Sequence, residues 1–173
     1  MTAHDLAGYS VLSISQIPRK DIEDFFVENW GSPEMVISSG TYNCLELEGY
    51  AALAADGSIC GLVTWVIEME DRQVEHKVCE LISLDSLRQG KGIGSQLLKQ
   101  AEYTAAAAGC TEMQLITTND NLQALEFYQK RGYVLTALYP DAVSHARLYK
   151  PSIPLVADNG IPIRDELLLS KRL

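Results

Sequence analysis

The sequence predicts an α+β fold, a mixed sheet with helices on its faces. Three observations carry this. The runs "GYAALAA", "SICGLVTWVIEME" and "QVEHKVCELISL" follow one another with only short polar breaks, as in an antiparallel meander. After residue 92 the apolar spacing changes from strand-like to helical. From there strand and helix patterns alternate, so the meander runs into β-α-β-α-β.

Each element has its own signal. "YSVLSIS" (9–15) alternates like a strand. Pro18 opens a helical pattern with Ile22, Phe25, Phe26 and Trp30 on one side, and Gly31 ends it. "EMVIS" (34–38) reads as a short strand. Asp56-Gly57 divides two apolar runs and predicts a hairpin, because that turn needs positive φ. The polar "EDR" (70–72) marks the next turn. Ile93, Leu97, Leu98, Ala101, Ala105 and Ala108 recur at helical spacing, and Gly109 stops that helix. "EMQLITT" is a strand, "NLQALEFYQKR" a helix closed by Gly132, and "YVLTALY" another strand. In the tail, "DAVSHARLYK" reads as a helix stopped by Pro151. "PSIPLVADNGIPIRD" holds three prolines and a glycine and reads as a loop, and "ELLLSKR" as a final strand.

Composition narrows the function classes. The 173 residues suit one domain, 1–173, with no linker or repeat before the last quarter. The net charge of −9 disfavours nucleic acid, which needs clustered Lys and Arg, and is compatible with a cationic substrate. No apolar run reaches the ~20 residues that span a bilayer, and "MTAHDLAGYS" has no leader pattern, so no membrane partner is expected. Cys44, Cys60, Cys79 and Cys110 form no C-x-x-C pair and have no His at ligand spacing, so no metal is expected. Cys60 and Cys79 lie in apolar runs and read as buried free thiols. A reducing cytoplasm is their simplest setting.

The stretch "LRQGKGIGSQLL" (87–98) asks what its glycines leave room for. A Walker A loop fails, because Gly92 follows Gly90-Lys91 and Asp85 stands where the first glycine belongs. A Rossmann fingerprint fits poorly, because Ser95 holds the third glycine's place and the motif follows a meander. A plain turn is the bland alternative. Yet a strand feeds straight through these glycines into a helix N-terminus. Such a turn presents unpaired N–H groups and the positive end of the helix dipole, an anion site. Lys91 would add a point charge.

Here the chain resembles a known family, the GNAT superfamily of acetyl-CoA-dependent N-acetyltransferases. Gln89-Gly90-Lys91-Gly92-Ile93-Gly94 matches its [QR]-x-x-G-x-[GA] signature. Asn121, Ala124, Phe127, Tyr128, Gly132 and Tyr133 match a second motif, N-x-x-A-x-x-F-Y-x-x-x-G-[FY]. The resemblance covers about 49–139, with 141–173 as a C-terminal extension, and "GIPIRDE" looks like the tail of small bacterial members. Ser86 replaces a common proline and Gln89 the commoner arginine, which removes a positive charge but no backbone N–H.

The resemblance implies a three-layer α/β/α fold. Its central sheet would be mixed, mostly antiparallel, and splayed between two parallel strands. It implies acetyl-CoA as co-substrate, with the pyrophosphate on Gln89, Gly90, Lys91, Gly92, Ile93, Gly94 and Ser95. Pantetheine would add to the splayed edge at Ile82, Ser83 and Leu84, and the oxyanion would find a backbone N–H near Ile82. Asn121 matches a cofactor-holding residue and is also placed to cap the next helix. Tyr128 matches the family's usual acid and would also pack in the core.

A protonated amine must lose a proton before attack, so a base or a water chain is required. Glu80 is the leading base, since alternation puts Glu80, Ile82 and Leu84 on one face. Glu68, Glu70 and Glu75 read as solvated, and His76 and His145 are weaker candidates. The acceptor, a small-molecule or peptide amine, is not written in the sequence, although Trp30, Tyr42 and the tail could shape its pocket. A homodimer stays open. The alternatives are a non-catalytic acyl-CoA sensor and a nucleotide-binding enzyme.

Overall fold

The computed structural model describes residues 8–69 and 76–173. The expected turn at 70–72 and Glu75 lie outside the described residues, as does the side chain of Glu68. Nine strands and four helices follow in chain order among the described residues. β1 (Tyr9–Ser13) leads into α1 (Arg19–Trp30), whose end is Gly31 in the left-handed region at φ 78°. β2 (Glu34–Ile37) and β3 (Gly40–Asn43) form a small hairpin, of which β3 carries no clear sequence signal. β4 (Glu48–Ala54), β5 (Ile59–Met69) and β6 (Lys77–Ser86) are the antiparallel meander. Then come α2 (Ile93–Ala107), β7 (Glu112–Thr118), α3 (Leu122–Gln129), β8 (Val134–Tyr139), α4 (Ala142–Tyr149) and β9 (Glu166–Arg172).

Seven strands make one sheet in the order β1-β4-β5-β6-β7-β9-β8. Among the described residues only β6 and β7 pair in parallel; the other pairings in this sheet are antiparallel. One face packs α2 through Ile93, Leu97, Leu98, Ala101 and Ala105, with Tyr128 and Tyr133 from the α3 region. The other packs α1 through Ile22, Phe25 and Phe26, with Met35 of the hairpin. These are the three layers of an α/β/α fold. No helix among the described residues is long and apolar enough to cross a membrane.

Two expectations need correction. Trp30 does not join Ile22, Phe25 and Phe26 in the core: it is 43% exposed, and its indole N–H donates to Asp85 at 2.9 Å. Its position in the last turn of α1 carries it past the edge of the apolar stripe. Leu84 does not share the face of Glu80 and Ile82 either. The β5–β6 register shifts so that Thr64 faces Ser83 while Trp65 faces Leu81, leaving Ile82 as the extra residue of a bulge. A bulge resets the two-residue alternation. Ile82 keeps the α1 side that alternation from Glu80 gives it, while Leu84 is turned to the α2 side with Leu81.

The final strand, β9, inserts between β7 and β8 instead of extending the edge. The loop before it is ordered by Arg147, whose guanidinium donates to the carbonyls of Ile153, Pro154 and Ile163. All four cysteines are buried free thiols, as the apolar runs around Cys60 and Cys79 suggested.

Candidate active site

The glycine loop meets α2 at Gly92, which takes φ 74°, and Gly90 takes φ 73°. Side chains rarely adopt that region, so glycine is the residue that lets this turn form. A Cβ on either would meet no atom within 4 Å, so the loop backbone faces open space. The first backbone bond of α2 runs from the Gln96 N–H to the Gly92 carbonyl. The N–H groups of Ile93, Gly94 and Ser95 thus have no acceptor within the helix.

Gly61 on β5 allows α2 to start this close to the sheet. A Cβ there would lie 2.6 Å from Ile93 Cγ2 and 3.0 Å from the Asp85 carbonyl.

This loop forms one wall of a cleft of about 640 Å³. Gln89, Gly90, Gly92, Ile93, Gly94 and Ser95 line it, and so do Leu84, Asn121 and Tyr128. Lys91 does not. The cations that line the cleft are Arg88, Lys130 and Arg131, which the motif match did not single out. Arg131 is built in: it sits 3.6 Å over the Phe127 ring and donates to Ser95 Oγ at 2.6 Å and to the Phe127 carbonyl at 2.7 Å. It ties α3 to the first turn of α2. Lys130 is paired with Glu126. Asn121 caps α3, its Oδ1 accepting from the Ala124 N–H at 3.1 Å, and lines the cleft as well.

The cleft runs onto an open strand edge. β6 pairs with β7 only from Val78–Glu112 to Leu81–Leu115. Beyond Leu81, β6 keeps its bonds to β5 alone, while β7 continues to Thr118 against β9. The parallel pair therefore splays, leaving one edge of the Ile82, Ser83 and Leu84 backbone without a strand partner. The Ser83 hydroxyl points inward and shares a 2.7 Å hydrogen bond with Thr64.

Two titratable side chains flank that edge from opposite faces. Tyr128 is buried on the α2 side, packed edge-on against Phe127 and Tyr133. Burial, then the negative Asp85, raise its pKa, with Arg131 opposing, so the phenol keeps its proton. Glu80 lies on the other face, 1% exposed, and accepts from Ser39 Oγ at 2.7 Å and from Gln114 Nε2 at 3.5 Å.

His76 stands at the opposite end of β6, six residues from Ile82, or roughly 20 Å along the strand. It contacts Thr111 and Glu112. His145 lines a separate cavity of about 530 Å³ between α4 and the β2–β3 hairpin.

Residues 16–133 match the model of the acetyltransferase (GNAT) family. The chain belongs to that family. This acetyltransferase is 52% identical over 164 residues to the uncharacterised protein YxbD of Bacillus subtilis, covering 95% of this chain and 99% of YxbD. Its fold is similar to that of the solved IAA acetyltransferase from Bacillus cereus ATCC 14579, with a TM-score of 0.68 at 23% identity, covering 96% of this chain and 100% of that one. It is also similar to a GNAT family acetyltransferase from Elizabethkingia anophelis solved with acetyl-CoA bound, with a TM-score of 0.63 at 20% identity, covering 96% and 99%.

Two features of this acetyltransferase's site escaped the sequence reading. Asp85, one residue past Leu84, has its pKa raised to about 6 by burial, against the pull of the Trp30 hydrogen bond. Glu166 of β9 is 2% exposed and meets the same hairpin turn as Glu80. Nothing in the local sequence marks either. Among the described residues, no three His, Cys, Asp or Glu side chains gather as a metal site would.

Proposed function

We propose that the protein, acting as a single catalytic domain, transfers the acetyl group of acetyl-CoA to a primary amine by direct attack in a ternary complex. The observation that carries this reading is the continuous path from the Gly90–Gly92 loop along the cleft to the open β6 edge, with Tyr128 and Glu80 on either side.

In this reading the pyrophosphate sits on the loop and the first-turn N–H groups of α2, with Arg88 and Arg131 supplying the positive charge that Gln89 does not. Pantetheine amides satisfy the unpaired backbone of Ile82, Ser83 and Leu84. The bulge at Ile82 turns one N–H toward the thioester oxygen as it becomes negative. Glu80 removes the proton that the acceptor must lose, directly or through one water. Tyr128 keeps its proton at neutral pH and donates it to the departing thiolate. The acceptor reaches the splay from the Glu80 side, between the hairpin and α4. The acidic net charge favours a cationic amine.

Release of free CoA thiol from acetyl-CoA across a panel of primary amines tests the activity. Tyr128→Phe should lower turnover roughly 100-fold while acetyl-CoA affinity changes little, because the ring stays and only the donor is lost. Unchanged turnover, with chemistry rate-limiting, would return Tyr128 to a packing role. Tight acetyl-CoA binding without transfer to any amine would favour an acyl-CoA sensor.

A further inference from the structure

The turn of the β2–β3 hairpin is two residues, Ser38 and Ser39, since Ile37 faces Gly40. Favoured two-residue hairpin turns need positive φ at the first or both loop positions. Among the described residues the only non-glycine with positive φ is Asp141, so neither serine adopts it. A two-stranded hairpin is also marginal on its own. Local turn chemistry therefore does not place this segment, and its contacts must.

Those contacts are specific. Met35 anchors β2 in the α1-side core. At the tip, the Ser38 N–H and Oγ both donate to Glu166 Oε2, at 2.9 and 2.5 Å. Glu166 stands on β9, between Thr118 of β7 and Tyr139 of β8, so it belongs to the rigid sheet. Among the described residues no Lys, Arg or His pairs with it. A buried carboxylate needs donors, and here the hairpin tip supplies them. Next along the chain, Ser39 Oγ donates to Glu80 at 2.7 Å and accepts from Tyr42 at 3.2 Å. The tyrosine fills an acceptor site on the serine oxygen, so the serine's own proton is directed at Glu80.

We propose that Ser39, and through Ser38 also Glu166, are positioning residues for Glu80: they hold its carboxylate oriented toward the acceptor's amine. This rests on the reading of Glu80 as the base. A hydrogen bond between a hydroxyl and a carboxylate restricts the carboxylate's rotation and favours its charged form, the form that accepts a proton. The sheet thus sets the aim of a side chain on β6 through a strand that enters the sheet last, by way of a hairpin outside it.

The test uses acetyl transfer from acetyl-CoA to trifluoroethylamine, glycinamide and ethylamine, in order of rising basicity, at one pH. Ser39→Ala should lower turnover roughly 10-fold with ethylamine, the cost of one hydrogen bond to a charged group. It should matter little with trifluoroethylamine, which is already neutral. Ser39→Thr should restore activity, and Glu166→Gln should fall between wild type and Ser39→Ala. Acetyl-CoA affinity should not move in any of them.

The double-mutant cycle decides the matter. On a Glu80→Gln background, Ser39→Ala and Glu166→Gln should cause no further loss. Losses that multiply on that background, or that are equal for all three amines, would overturn the proposal and leave the hairpin a structural part only. Wild-type turnover in Glu80→Gln alone would overturn the base reading itself, and this inference with it.

Discussion

Asp85 is the side chain whose charge this fold resists. Burial raises its pKa to about 6, and the Trp30 indole N–H, which favours the ionised form, recovers only part of the shift. In an unfolded chain an aspartate titrates near ~3.9. The folded state therefore binds the proton more tightly. The stability that this proton confers is fully present below about 3.9 and is lost as pH rises through about 6. Unfolding followed from pH 4 to pH 7 should show this decline, and Asp85→Asn should remove its part of it. Trp30 gives a direct reading: its fluorescence should step with a midpoint near 6 and lose the step in Asp85→Asn. A step that survives the substitution would mean that another group is titrating. None of this was legible in the sequence, because it depends on a contact across 55 positions of chain. The roles weighed for Asn121 were more legible. Its place before the helix pointed to a cap and its motif match to a cofactor contact; the residue caps α3 and also lines the cleft.

The junction of β5, β6 and α2 shows how elements build the site. The start of α2 sits hard against the sheet, and Gly61 permits that approach. A methyl group at 61 would overlap Ile93, the first residue of α2, and press on the Asp85 carbonyl. Gly61→Ala should cost roughly 1–3 kcal/mol in urea unfolding, the range for overpacking a core, and should weaken acetyl-CoA binding by shifting the helix start. Gly94→Ala is the control, since its Cβ would meet Phe127 only at an ordinary 3.6 Å. Its stability should stay close to wild type. Equal stability of the two variants would mean that α2 moves freely on the sheet. The meander, α2, β7 and α3 were readable because hydrophobic period and glycine stops are local signals. β3 was not, because "GTYN" has little alternation and its strand exists by pairing with β2. The bulge at Ile82 was not readable either. It is a property of the register between β5 and β6, which neither strand's own pattern specifies.

At the scale of the whole molecule, cofactor binding should be felt as stability. Acetyl-CoA would bridge the glycine loop, the α3 region and the splayed β6 edge, which meet only in the folded chain. At 100 times its dissociation constant it should add about 2.7 kcal/mol, read as a raised melting temperature, and ATP and NAD should not. Equal protection by ATP would mean that the loop recognises a nucleotide phosphate without the pantetheine edge. The sequence by itself determined the α+β class and the order of most elements, and it carried the two family motifs whose residues meet at the cleft. Class and order follow from apolar spacing and glycine stops, which are written residue by residue, and the motifs from their resemblance to those of the family. Tertiary structure alone decided that β9 inserts between β7 and β8, that β6 parts from β7 after Leu81, and that Glu80 and Glu166 meet adjacent serines of one turn. The reason is that strand order, register and burial are set by pairings between distant segments. A local pattern says which face of an element is apolar, but not which partner will cover it.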